Sequence, residues 1–190
     1  MSSLELVAVG FGLLNIVLLV RRSIWNFPAA VVMVSLYFVI FADQRLYAEA
    51  GLQVFFALAN IYGGYMWWRA GGAKDPVAVG WLDWPARIGC VLGIAVVAMA
   101  LGTALARGTD AALPYPDAAI AAGSVAAQLL LAFRRIENWV LWIAIDAGAI
   151  ALYIVRDLIL TAGLYTAFLV LSVIGLREWM AAARQRGSAG

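Results

Sequence analysis

AGLQVFFALANIYGGYMWW at 50–68 and AGLYTAFLVLSVIGLREWM at 162–180 decide the fold, because one constant offset of 112 residues brings them into register. Ala50-Gly51-Leu52 falls on Ala162-Gly163-Leu164, Phe56 on Phe168, Gly63 on Gly175 and Trp67 on Trp179. Asn26 and Asn138, in the preceding apolar stretches, share the offset. Aliphatic coincidences come easily in a chain that is 65% hydrophobic, so the weight rests on the glycine, tryptophan and asparagine matches.

Around these stretches the chain reads as membrane protein throughout. Only 13% of its 190 residues are charged, against roughly a quarter in soluble domains, too few to cover a soluble globule. With about 20 apolar residues per span as the ruler, helices are expected at about 4–20, 24–43, 46–69, 86–106, 117–133, 138–156 and 158–177. Arg21-Arg22 and Arg134-Arg135 are charged stops, and 71–85 and 107–116 read as polar, proline-bearing loops. Very short junctions at Asp43–Arg45 and Arg156-Asp157 imply adjacent antiparallel helices.

The two opening stretches are each the third helix of a group of three. This predicts an all-α membrane fold with a parallel repeat: repeat 1 at about 4–69, a linker helix at about 86–106 and repeat 2 at about 117–177. Two three-helix units can share one orientation only if an extra span lies between them. Three-plus-one-plus-three is the architecture of SWEET transporters, whose substrate sits near the midplane between repeats. Lys and Arg placement gives an independent test, since cytoplasmic loops hold the excess. Arg45, Arg107 and Arg156 fall on one side and the other ten of the 13 basic residues on the opposite side, so the N-terminus is expected outside and the C-terminus in the cytoplasm. Six spans would scramble that alternation.

Composition also removes function classes. There is no histidine and one cysteine, Cys90, so no zinc cluster or histidine base is encoded, and no metal or cofactor is expected. GGAKD at 71–75 lacks the spacing and hydroxyl of a phosphate-cradling loop. A net charge of +2 gives no footprint for nucleic acid.

Candidate chemistry lies on two stripes. On a helical wheel Trp139, Trp142, Asp146 and Tyr153 fall at about 0°, 300°, 340° and 320°. A carboxylate deep in a span is expensive unless it faces a cavity or a partner, and two indoles a turn away can stack on a flat ring, most strongly on a cationic one. The alternative is an interfacial tryptophan belt with Asp146 paired to an arginine. Gln53, Asn60 and Trp67 fall at about 0°, 340° and 320°, with Phe56 at about 300°. Amides suit hydroxyl and carboxamide groups of a substrate, yet also serve as glue between helices. Tyr37, Asn26, Ser124 and Gln128 are weaker candidates for the same cavity; Asn26, ahead of Pro28, can equally cap a helix. Trp67 and Trp68 beside Arg69 fit an interface belt, and Gly63-Gly64 a close-packing site.

LYAEAGLQVFFALANIYGGYMWW at 46–68, ENWVLWIAID at 137–146 and GLREW at 175–179 together resemble the PnuC family of bacterial nicotinamide riboside transporters, over helices 2 to 7. The resemblance implies a seven-helix carrier of the bacterial inner membrane, a homotrimer, with substrate between the repeats. Its pyridinium ring would lie against Trp139 and Trp142, and Gln53, Asn60 and Asn138 also match family positions. It further implies facilitated diffusion, made accumulative by a separate cytoplasmic kinase that phosphorylates the vitamin. Family members that carry nicotinamide riboside often have asparagine where this chain has Asp146, and relatives look like carriers of thiamine, riboflavin or deoxynucleosides. A buried carboxylate favours a cation, which suits nicotinamide riboside and thiamine alike. An intramembrane enzyme would need a second carboxylate at the depth of Asp146, and a scaffold would not explain the stripes.

Overall fold

Long runs of Val, Leu, Ile and Ala in lipid leave the backbone no hydrogen-bond partner but itself, and the chain answers with helices. The computed structural model describes residues 3–43, 47–74, 76–108, 113–155 and 159–187. They form seven helices: α1 (Ser3–Val20), α2 (Asn26–Asp43), α3 (Tyr47–Arg69), α4 (Trp84–Gly108), α5 (Pro114–Ala132), α6 (Glu137–Val155) and α7 (Ile159–Gly187). The stretches α2, α4, α5 and Ala162–Gln185 of α7 are each long and apolar enough to cross a membrane; the apolar part of α1, Leu4–Val20, is slightly short. Glu49, Gln53, Asn60 and Arg69 dilute α3.

Six helices begin and end within a few residues of expectation, whereas α7 runs to Gly187 and not to 177. Arg177 does not stop it, because Arg177 and Glu178 lie on the exposed side while Trp179 and Ala182 are buried on the other. The short junctions at 44–46 and 156–158 lie outside the described residues, with Arg45, Arg156 and Asp157.

Helix α2 packs between α1 and α3, and α6 between α5 and α7; the two groups meet through α3 against α5 and α1 against α7. Helix α4 packs on α5 and otherwise faces outward, with Ile88, Val91, Leu92, Val96 and Met99 exposed, as lipid-facing residues would be. The 112-residue offset recurs in the backbone. Arg22 (φ 55°) and Arg134 (φ 60°) take left-handed conformations and end α1 and α5 in matching Schellman turns. Ser23 N–H donates to Leu18 O and Arg135 N–H to Leu130 O, at 3.0 and 2.8 Å. Asn26 Nδ2 then donates to Ser23 O at 2.7 Å, and Asn138 Nδ2 to Arg135 O at 2.6 Å.

The main core sits at the basic end of the molecule, beside these turns, where Leu19, Phe27, Trp67, Val77, Leu131, Ile136, Trp139 and Trp179 cluster. Trp67 Nε1 donates to Leu131 O at 3.2 Å and Trp179 Nε1 to Leu19 O at 3.1 Å, so each helix group hands an indole to the other. Gly63 and Gly175 let the rings close in. A Cβ on Gly63 would lie 2.6 Å from the Phe27 ring, and one on Gly175 2.5 Å from the Trp139 ring. Gly63 is thus a close-packing site.

The loop between α3 and α4, expected to be a plain polar connection, is a strap across this core. Val77 is buried in the cluster, and the carbonyl of Val77 accepts from Arg22 Nη1 at 3.4 Å. Gly80 N–H donates to Arg134 O and Gly80 O accepts from Ile136 N–H, at 3.2 and 3.0 Å. Leu82 N–H and Arg87 Nε both donate to Glu137 Oε1, at 2.9 and 2.8 Å. Asp83 Oδ1 caps α4 by accepting from Ala86 N–H.

Candidate substrate site

The predicted α6 stripe divides between two environments. Asn138 and Trp139 belong to the packed basic end. Asn138 is fully buried and holds the α5–α6 turn, and Trp139, 1% exposed, meets Trp179 edge to face at 5.7 Å and 88°. Trp67 is fully buried between Phe27 and Trp179, at 5.1 and 5.9 Å, so it is core and no part of an interface belt; its neighbour Trp68 is exposed.

Asp146 lies about two turns deeper, at the middle of α6, and is 4% exposed. Its Oδ2 accepts from Ser172 Oγ of α7 at 3.1 Å. Ser172 is buried too; nothing in the sequence singled it out, because the pairing depends on how α6 faces α7. Its position is Asn60 plus 112, so the same depth of α3 and α7 carries a buried polar group in both helix groups. No Lys or Arg occupies this depth among the described residues, so the carboxylate has no fixed counter-ion there and the alternative of an arginine pairing is not met. Trp142 is half-buried one turn towards the basic end.

Asn60 is buried, with Nδ2 turned back on Phe56 O at 2.8 Å, and it lines a groove between α2 and α3. Gln53 and Tyr37 are half-buried in the other halves of α3 and α2, and Tyr37 stacks on Phe41 at 5.7 Å. The side chain of Tyr153 lies outside the described part of α6.

Several buried polar atoms lack a protein partner: Asn15 Oδ1, Gln128 Nε2, Asn138 Oδ1 and Trp139 Nε1. All lie within two turns of the α1–α2 and α5–α6 turns. Each such atom costs about 1–3 kcal/mol unless water or a ligand reaches it. Among the described residues no group of His, Cys, Asp and Glu could hold a metal.

The chain is 28% identical to the nicotinamide riboside transporter PnuC of Escherichia coli (strain K12), covering 99% of this chain and 89% of that one. It is 27% identical to the riboflavin/roseoflavin transporter RibM of Streptomyces davaonensis, over 92% of this chain and 83% of the other. A crystal structure of the vitamin B3 transporter PnuC superposes with a TM-score of 0.78 at 25% identity, covering 96% of this chain and 82% of that one. Residues 2–181 match the family described as nicotinamide mononucleotide transporter. With nearly the whole chain accounted for, it belongs to that family of transporters.

Proposed function

We propose that this chain carries nicotinamide riboside across the bacterial inner membrane. Asp146 is the observation that carries the reading: a buried mid-membrane carboxylate met by one hydroxyl is expensive when empty and is matched by a pyridinium cation. Trp142 lies a turn away to take the ring, and Gln53, Tyr37 and Tyr153 are assigned to the ribose and carboxamide. Asn138, which holds the α5–α6 turn, and Asn60, which lines the α2–α3 groove, act on the site from behind it. Trp139 backs the site from the core side. The riboside fits better than the mononucleotide of the family description, because no Lys or Arg lies at mid-depth among the described residues to meet a phosphate.

Seven spans in a SWEET-like three-plus-one-plus-three repeat, N-terminus outside and C-terminus in the cytoplasm, are supported by the recurring 112-residue geometry and by the basic residues gathered at one end. On that orientation the aromatic core and the strap seal the cytoplasmic end. Transport is facilitated diffusion in a homotrimer, with a separate kinase trapping the vitamin.

Riboflavin is the second reading, favoured by the likeness to RibM. Proteoliposome uptake of labelled nicotinamide riboside, competed by unlabelled riboside, thiamine and riboflavin, separates the substrates. Competition by the riboside alone is expected; competition by riboflavin alone would move the assignment to the flavin.

A further inference from the structure

The groove between the first turns of α2 and the last turns of α3 measures ≈ 630 Å³ and is lined by these helices and their flanking turns, with no residue of α5–α7 in its walls. Apart from Asn60 its walls are apolar: Phe27, Pro28, Val31, Val32, Ile61 and Gly64. Trp25 and Trp68, 68% and 59% exposed, flank its mouth at the basic end. Exposed indoles take that place where headgroups begin.

We propose that this groove is a binding site for an anionic phospholipid, one acyl chain lying along α2 and α3 and the headgroup meeting the cations at the mouth. Charge complementarity selects this occupant. Lys74 follows groove-lining Ala73, Arg69 follows groove-lining Trp68, and Arg21 precedes the turn that carries Ile24 and Trp25. All three are exposed, and among the described residues neither Arg21 nor Lys74 pairs with an acid. Asp75, the acid next in sequence, lies outside the described residues.

The positions 112 residues on carry different residues in the α5–α7 group. Gly64, on which the Phe27 side chain packs closely, corresponds to Leu176, whose side chain packs against the aromatic core. Trp25 corresponds to Glu137, which the strap and Arg87 occupy. The opening is therefore built by particular residues of the α1–α3 group.

Native mass spectrometry of the purified full chain, with phosphatidylglycerol and phosphatidylcholine of identical acyl chains, tests the site. Wild type is expected to retain phosphatidylglycerol preferentially. Arg21→Gln and Lys74→Gln are each expected to cut that retention roughly fivefold, leaving phosphatidylcholine unchanged. Ile61→Trp, which fills the groove, is expected to reduce both. Equal retention of the two lipids by wild type, or phosphatidylglycerol retention unaltered by the charge variants, would overturn the proposal. A photo-crosslinking residue at Ile61 in native membranes provides a second readout: a lipid adduct supports the assignment, and a crosslink between two copies of the chain overturns it.

Discussion

Asp146 and Ser172 show how much hangs on single side chains in lipid. The serine hydroxyl can steady a carboxylate, but it cannot neutralise one, so the cationic substrate is left to supply the missing charge. Asp146→Asn keeps the shape and removes the charge. Asparagine still bonds Ser172 and is the residue that the family resemblance pairs with the riboside, so kcat/KM for nicotinamide riboside is expected to fall by about tenfold or less, the share that the charge alone contributes. Ser172→Ala is expected to cost about tenfold or less. Proteoliposome uptake checks both; an Asp146→Asn carrier with wild-type kinetics would remove this residue from the site. The glycines make an internal comparison of a different kind. Gly175→Ala pushes a Cβ into the Trp139 ring, and overpacking of this kind costs about 1–3 kcal/mol, whereas Gly51 has nothing within 4 Å of a Cβ and Gly51→Ala is expected to change stability by about 1 kcal/mol at most. Thermal unfolding in detergent ranks the two. Both glycines match under the offset, so the sequence could not tell the packing glycine from the open one. Nor could it find Ser172, which looks like any other small residue in an apolar run.

Helices were legible because lipid enforces their length, and all but one end lies within a few residues of the hydropathy reading. The exception is instructive: the charges of α7 at Arg177 and Glu178 occupy one face, and a face cannot be seen by counting charges along the chain. The strap was illegible for a related reason. From Gly72 to Asp83 the apolar residues Val77, Val79, Trp81 and Leu82 make too short a run to mark an element, and the burial of Val77 depends on which helix ends pack beneath it. Glu137 fastens this strap, accepting from Leu82 N–H and Arg87 Nε with one oxygen. The ion pair is partly exposed and worth little alone, so the backbone contact carries most of the effect. Glu137→Ala is expected to loosen the strap and leave the helices in place. A cysteine introduced at Val77, in a chain whose Cys90 is replaced by alanine, should then label faster from the basic end than it does with Glu137 present. Unchanged labelling would mean that the Gly80 backbone bonds hold the strap unaided.

At the scale of the whole molecule, the stripe reading predicted one cavity shared by Gln53 and Asn60 of α3 and Trp139, Trp142 and Asp146 of α6, and the structure distributes them by depth. A wheel records direction around a helix but not which neighbour waits at each level. Near the basic end the neighbours are helices of the opposite group, so Trp67 and Trp179 become cross-links; deeper in, α6 meets α7, and Asp146 finds Ser172. The two indole bonds are 112 residues apart at both donor and acceptor, Trp67 to Leu131 and Trp179 to Leu19. They therefore act on the same closure from its two sides. Trp67→Phe and Trp179→Phe keep an aromatic ring and delete the donor, leaving a carbonyl unpaired, and each is expected to cost about 1 kcal/mol. If the two bonds close one joint between the helix groups, losing either already loosens the other, and the double variant should cost less than the sum of the singles. Additive losses would mean that the bonds stabilise their own helices independently. The same variants should open the sealed end more often, raising the reactivity of a Val77 cysteine without altering competition among substrates, because the indoles sit below the Asp146 level and not beside it.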